Sequence, residues 1–211
     1  MGLALTIETH FLDARDNEFV VRPLTLEVAT VYADRLVEIH NGILNQYWTN
    51  GNLLANSDAQ REFAGKWEIS TFTSRAKSCV PIGFCIGFET PSSPYFPEAG
   101  VYMHRTALLN SERGCGIGAI MHVETMLRIF RRPLRYVHAI SDSAFPAYGQ
   151  TSNAKENQRA LAFWLDAGFE IIGEKPYLDR VDYVMRMTKM SVLRSRHYQL
   201  WQRGRASALS Q

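Results

Sequence analysis

The stretch SERGCGIGAIMHVETML, Ser111–Leu127, decides how the rest of the chain is read. It sets Gly114, Gly116 and Gly118 behind Arg113 and runs directly into an apolar periodicity over Ile117, Ile120, Met121, Val123 and Leu127. That spacing predicts a helix over 117–130 with an apolar stripe. The preceding run VYMHRTALL, 101–109, alternates as a strand does. Strand, glycine-rich turn and helix start form a recognisable arrangement. The first amides of a helix have no partners within it, and its dipole adds partial positive charge there. Glycines let the chain turn tightly and let a ligand come close to those amides. The outcome is an anion site, with phosphate the usual anion and Arg113 as a charged donor. A dinucleotide fingerprint does not fit, because the glycines alternate, and a P-loop lacks its Gly-Lys-Ser/Thr.

Working outward, FVVRPL (19–24) is expected to be a strand, and Thr25 to cap a helix that begins at Leu26. KWEISTF (66–72), VPIGFCIGFET (80–90), LRYVHAIS (134–141), FEIIGEK and VDYVMRMTK also read as strands. NAKENQRALAFWLDAG (153–168) reads as a helix ending at a left-handed Gly168. Alternating strands and helices indicate an α+β, layered architecture with at least one crossover. At 211 residues, 1–188 is expected to form one domain and 189–211 a basic tail, helical or partly disordered.

Arg-x-x-Gly-x-Gly at Arg113, Gly116 and Gly118 resembles the pyrophosphate loop of the GNAT N-acetyltransferase superfamily. A second segment, NQRALAFWLDAGF (157–169), is similar to that family's other signature. Asn157, Ala160, Gly168 and Phe169 match it, and Trp164 stands where a Tyr is usual. The resemblance covers roughly Phe19 to Met187. It implies a central, mostly antiparallel mixed sheet flanked by helices, whose fourth and fifth strands splay to admit acetyl-CoA. Those strands are expected at 101–109 and 134–141. It further implies that backbone groups of Leu108, Leu109 and Asn110 pair with the pantetheine arm. Arg113, Gly114, Cys115, Gly116, Ile117, Gly118 and Ala119 would hold the pyrophosphate, and Asn157 and Trp164 would line the other side of the arm.

The resemblance implies acetyl transfer to a primary amine in a ternary complex, with a small-molecule acceptor expected. A protein or aminoacyl-tRNA amine, and a longer acyl-CoA, stay open as alternatives. So does a catalytically weakened CoA-binding sensor or scaffold, which Trp164 supports because an indole N–H is not an acid at physiological pH. His104 is the candidate general base, with an ordinary pKa near 6.5. Strict alternation puts Tyr102, His104 and Thr106 on one face, so Tyr102 joins it as a catalytic candidate. Glu68, Glu89 and Glu98 are weaker base candidates. Trp67, Tyr102 and His104 are expected to line the acceptor pocket, with Tyr47, Trp48, Tyr95 and Phe96 nearby. Proton donors to the departing thiolate are sought in Ser141, Ser143, Tyr148 and Ser152.

A formal net charge of +2 gives no reason to expect a polyanion partner. Three cysteines, Cys79, Cys85 and Cys115, leave an odd thiol and no metal spacing, which points to a reducing, cytoplasmic compartment and no metal. No apolar run is long enough to span a membrane. The tail carries Lys189, Arg194, Arg196, Arg203 and Arg205 with Tyr198 and Trp201 between them. A helix packing on the partner subunit of a homodimer, or a disordered end, is the plain reading, and RNA binding is the alternative.

Overall fold

The computed structural model describes residues 8–42, 48–54, 65–90, 94, 100–131 and 148–210. An eight-stranded sheet runs through them in the order β1-β2-β3-β4-β5-β6-β8-β7. Its strands are β1 (Thr9–Leu12), β2 (Glu18–Pro23), β3 (Thr71–Arg75), β4 (Pro81–Thr90), β5 (Gly100–Leu108), β6 (Tyr148–Ala154), β7 (Glu170–Tyr177) and β8 (Arg180–Thr188). Every neighbouring pair is antiparallel except β5 and β6, which run parallel. A parallel pair requires a crossover, and helix α5 (Ile117–Ile129) is part of it.

Two apolar clusters sit on opposite faces of the sheet. On one, Phe11, Phe19, Cys85, Val101 and Met103 pack against α5. On the other, Phe72, Phe84, Ile86 and Ala107 pack against α1 (Leu26–Val31), α2 (Ala33–Asn41) and α3 (Asn50–Leu54). Thr25 caps α1 as expected, its hydroxyl accepting from the Val28 amide at 3.2 Å. The single helix read there is divided at Tyr32, whose φ of −107° and ψ of 21° leave the helical region.

Three readings are corrected. Lys66–Ile69 is a helical turn, α4, and the strand begins at Thr71. Trp67, Glu68 and Ile69 alternate like a strand, but Gly65 at φ 68° starts a turn that buries the Lys66 stem. Helix α6 runs over Gln158–Asp166 rather than from Asn153, because Tyr148–Ala154 pairs with β8 along seven residues. Tyr148 and Ser152 are therefore strand residues and not loop residues. The stripe expected on α5 is also too narrow, since every residue of the helix except Gly118 and Arg128 is buried. Gly168 does take the left-handed conformation, at φ 97°.

What covers the far side of α5 is the C-terminal segment, folded as α7 (Lys189–Arg194) and α8 (Arg196–Leu209). The Trp201 indole donates to Glu124 at 3.0 Å, and His197 is buried. At Gly204 a Cβ would meet the Leu12 carbonyl at 2.8 Å and Ile120 at 3.0 Å, so only glycine allows α8 this close. Among the described residues no helix is long and apolar enough to cross a membrane.

Candidate active site

The site begins where two strands stop pairing. β5 and β6 are matched only at Val101↔Gly149 and Tyr102↔Gln150. Beyond that point β5 continues for six residues, Met103 to Leu108, and among the described residues these pair with β4 only. The Thr151 hydroxyl takes up the Met103 carbonyl at 3.0 Å just where the strands part. The splay expected after the fourth strand is therefore present, but its second arm is Tyr148–Ala154. The segment 134–141, read as that arm, lies outside the described residues.

A β-bulge shapes the open edge. Ile86 faces Arg105 while Gly87 faces Met103, so β5 carries one extra residue at His104. Val101 and Met103 belong to the α5 face, but Ala107 belongs to the other. Tyr102 and His104 do share a face. Thr106 does not, and its hydroxyl lies 3.5 Å from buried Cys85 on the α5 side. Past the bulge, the Leu109 amide donates to the Ile82 carbonyl at 2.9 Å. Antiparallel alternation then turns the N–H and C=O of Thr106 and Leu108 toward the gap. Arg113 Nε reaches the Leu108 carbonyl from that side at 3.3 Å.

At the end of β5 a 3-10 turn, Asn110–Glu112, leads into the glycine loop. Gly114 has φ 81° and Gly116 φ 90°, which residues with a Cβ rarely adopt. No atom lies within 4 Å of a Cβ built at either, so the loop opens on space. Gly116 is the N-cap of α5 and supplies no side-chain hydrogen bond to its amides. The loop is nevertheless held firmly. Arg75 bridges Asp13 at 2.9 Å and also pairs with Glu112. The Ala14 amide donates to the Cys115 carbonyl at 2.9 Å, and the Cys115 thiol donates to the Glu112 carbonyl at 3.0 Å. Cys115 is buried, so its sulfur serves the loop's own fold.

Helix α6 lies across the gap. Its N-cap is Asn157, whose side-chain oxygen accepts from the Ala160 amide at 3.1 Å. Arg159, in its first turn, was not singled out from the sequence. It stands close enough to Arg113 that the two repel, and burial together with this repulsion lowers the Arg113 pKa. A cation in the first turn opposes the helix dipole. Arg113, ahead of the α5 cap, and Arg159 thus stand near each other beside two helix starts, and the position of Arg159 two residues past the cap was the available signal. Phe163 was missed as well. A Cβ on Gly118 would meet Leu108 at 3.7 Å and Phe163 at 3.9 Å, so these two side chains border the gap. Trp164 packs against His122, Phe163 and Phe169, with ring centroids 5.4, 5.1 and 5.2 Å away.

On the opposite face lies an aromatic cluster. His104 is half-buried, with Phe88 at 5.5 Å, Trp48 at 6.0 Å and Tyr102 at 6.4 Å between ring centroids. Trp48 stacks on buried His40 at 3.9 Å, and the Arg105 guanidinium lies 5.7 Å from the Trp48 ring. Burial pushes the His104 pKa down to about 3, helped by Arg105, Lys66 and His40. Lys66 is itself lowered to about 8 by burial and lies 4.5 Å over the Trp67 ring. Across the fork, the Tyr102 and Ser152 hydroxyls are hydrogen-bonded at 2.7 Å. Glu89 is buried, while Glu68 faces a separate cleft of about 390 Å³ beneath Trp201 and Arg205. Tyr47, Tyr95, Phe96, Glu98, Ser141 and Ser143 lie outside the described residues. Among the described residues no group of acidic, histidine or cysteine side chains could hold a metal ion.

No family model and no curated protein matches the chain. Solved structures do match. The NatC complex bound to Gag peptide and CoA contains a chain at TM-score 0.59 and 18% identity, covering 81% of this chain and 98% of that one. Arabidopsis thaliana NAA60 in complex with acetyl-CoA matches at 0.59 and 14%, covering 81% and 99%. The ribosomal-protein-S18-alanine N-acetyltransferase from Escherichia coli matches at 0.55 and 12%, covering 81% and 93%. With its forked fourth and fifth central strands and the glycine loop at the fork's open end, the chain has the GNAT acetyltransferase fold.

Proposed function

We propose that the protein is an acetyl-CoA-dependent N-acetyltransferase acting on a primary amine. The observation that carries this reading is the parting of β5 and β6 directly beside an α5 start that no side chain caps. Loop amides from Gly114 to Ala119 would take the pyrophosphate, with Arg113 and Arg159 supplying charge. The outward backbone groups of Leu108 would pair with the pantetheine arm as an added strand does. Leu109 and Asn110 carry the chain from that edge into the loop. Asn157 would meet the arm from the α6 side. Trp164 supports α6 from behind rather than lining the gap, and Phe163 takes the lining place.

The acceptor would lie on the ring-lined face. Its ammonium must lose a proton before it attacks. With burial pushing its pKa down to about 3, His104 is unprotonated throughout the neutral range. It can accept a hydrogen bond from the attacking amine but is too weak a base to take the ammonium proton, which would go to solvent water. Trp48, Trp67, Phe88 and Tyr102 supply flat apolar surface for the rest of the acceptor. A compact small-molecule amine suits this lining. A peptide N-terminus is the second reading, favoured because the NatC structure holds a Gag peptide beside CoA. Cys79, Cys85 and Cys115 are all free, which supports a reducing compartment such as the cytoplasm.

The deciding experiment is calorimetric titration with acetyl-CoA and longer acyl-CoAs, followed by thiol release with a panel of free amines and peptides. Saturable acetyl-CoA binding and turnover with one acceptor class would establish the reading. No binding to any acyl-CoA would refute it, and binding without turnover would leave a CoA sensor.

A further inference from the structure

We infer that the β1–β2 turn, residues 13–17, positions the glycine loop for the cofactor diphosphate: the Ala14 amide aims the loop, and Arg75 ties the turn to it. This rests on the acetyltransferase reading above and gives part of its cofactor affinity to residues that touch no cofactor.

The loop cannot aim itself. Cys115 lies between Gly114 at φ 81° and Gly116 at φ 90°. Glycine takes left-handed and right-handed conformations at similar cost, so the peptides beside Cys115 have little local preference for one direction. In a planar trans peptide the C=O and the following N–H point opposite ways. The direction of the Cys115 carbonyl therefore sets that of the Gly116 amide, at the N-cap of α5. A bond from outside the loop makes the choice. The Ala14 amide donates to the Cys115 carbonyl at 2.9 Å. This holds the carbonyl toward the β1–β2 turn and directs the Gly116 N–H away from it. Among the described residues that N–H has no hydrogen-bond partner, and the diphosphate would supply one.

The turn is itself closely built and is fixed to the entry of the loop. The Asp13 carbonyl accepts from the Asp16 amide at 3.1 Å, closing a β-turn with Ala14 at its second position. Asp13 Oδ1 accepts from the Arg15 and Asn17 amides at 2.8 and 3.1 Å. Its Oδ2 meets Arg75 at 2.9 Å, and the same guanidinium pairs with Glu112. The Asp13 carboxylate is shut away from water, so its charge relies on Arg75 and those two amides. A planar guanidinium can meet two carboxylates at once in a fixed geometry, whereas an ammonium is a point charge on a flexible stem. Arg75 thus holds the loop at Glu112, and the turn it anchors holds the loop again at Cys115, three residues on.

The test removes one N–H. Ala14 is exposed, and the second position of a β-turn accepts proline, so Ala14→Pro keeps the turn and deletes the donor to Cys115. The Kd for acetyl-CoA, measured by calorimetry, should rise about tenfold, while the melting temperature moves by no more than about 3 °C. With an accepted amine, kcat at saturating acetyl-CoA should stay within about twofold, because the reacting end is untouched. Ala14→Ser keeps the N–H and should bind as wild type does. Arg75→Lys keeps a charge for Asp13 without the fork, and should weaken binding by about tenfold as well. The double variant should be little worse than either single one, because both act through the Cys115 carbonyl. If Ala14→Pro fails to fold, Arg75→Lys decides. Wild-type affinity in either folded variant, or a loss of kcat as large as the loss of affinity, would overturn the assignment. Wild type that binds no acyl-CoA would instead overturn the acetyltransferase reading beneath it.

Discussion

Helices α5 and α6 begin on opposite sides of the same gap, and they begin differently. At α6 the Asn157 side chain closes the first turn by accepting from the Ala160 amide. At α5 the N-cap is Gly116 in the left-handed region, with no side chain to give and open space in front of it. Free helix amides cost stability unless something pairs with them. The Asn157 side chain pairs one amide of the α6 start within the fold, whereas no side chain caps the α5 start, which the proposed function reads as open to an incoming acceptor of hydrogen bonds. Arg113 and Arg159 repel across the gap, and a shared anion removes that cost. Under the proposed function, the contrast teaches that a missing cap in a loop pinned by Arg75 is a binding place rather than a weak helix.

The largest expected effect tests the open start. Gly116→Val puts a β-branched side chain at φ 90° and into the space before the amides. Acetyl-CoA affinity should fall by at least about 100-fold. The left-handed strain of about 1–2 kcal/mol should lower the melting temperature by a few degrees without unfolding the chain. Undiminished affinity, measured by calorimetry, would show that the α5 start holds nothing.

Next in size is the charge at the two starts. Arg113→Gln removes a charge-assisted contact worth about 1.5–3 kcal/mol when made, so affinity should drop about tenfold or more. Arg159→Gln should act in the same direction, and both losses should shrink as salt rises. The double variant should lose less than the sum, because each removal also relieves the other's repulsion. If either substitution tightens binding, the anion does not sit between them.

A third test concerns the joint that keeps the two helices at a fixed distance. His122 of α5 is fully buried against Phe163 and Trp164 of α6 and against His197 of α8. Burial lowers His122 to about 3 and His197 to about 4. Both are therefore neutral when folded, and the unfolded chain takes up protons first. Their contribution is complete above the unfolded pKa near 6.5 and is lost as pH falls toward the folded values. Between pH 6.5 and 5 each group should cost about 2 kcal/mol of stability. Denaturant titrations at pH 7 and pH 5 should show this loss, and His122→Phe should halve it. An unchanged slope in that variant would move the acid sensitivity elsewhere.

The glycine loop and the Asn157 turn were legible in the sequence because their signals are local. A positive φ needs glycine, and a cap needs its acceptor three residues before its amide. The partner of β5 was not legible. YGQTSNA lacks the apolar, β-branched alternation of a strand and owes its conformation to pairing with β8 along its whole length. Nor was the bulge at His104, which turns Thr106 away from Tyr102 and undoes the face that alternation predicted. The C-terminal segment read as a basic tail because its apolar residues are few. Trp201, His197 and Gly204 fit α5 one by one, by a hydrogen bond, a ring contact and a close approach. Such contacts depend on shape more than on pattern. Arg159 could have been noticed, since a cation in a first turn is unfavourable until an anion is supplied.

The smallest effect separates two roles at one residue. Asn157 caps α6, and the resemblance also has it meet the cofactor arm. Asn157→Ala should lose about 1 kcal/mol from the cap alone, a fall of about 2–4 °C in melting temperature. Asn157→Ser keeps an oxygen that can accept from the Ala160 amide, so it should restore most of that stability. It cannot restore an amide N–H directed at a ligand. If Asn157 only caps, the serine variant binds acetyl-CoA as wild type does. If it also meets the arm, the serine variant is as stable as wild type yet binds several-fold more weakly. The α6 start would then serve the ligand too, and the contrast with α5 would be one of degree: one helix start gives only backbone, the other gives its backbone to the fold and a side chain to the cofactor.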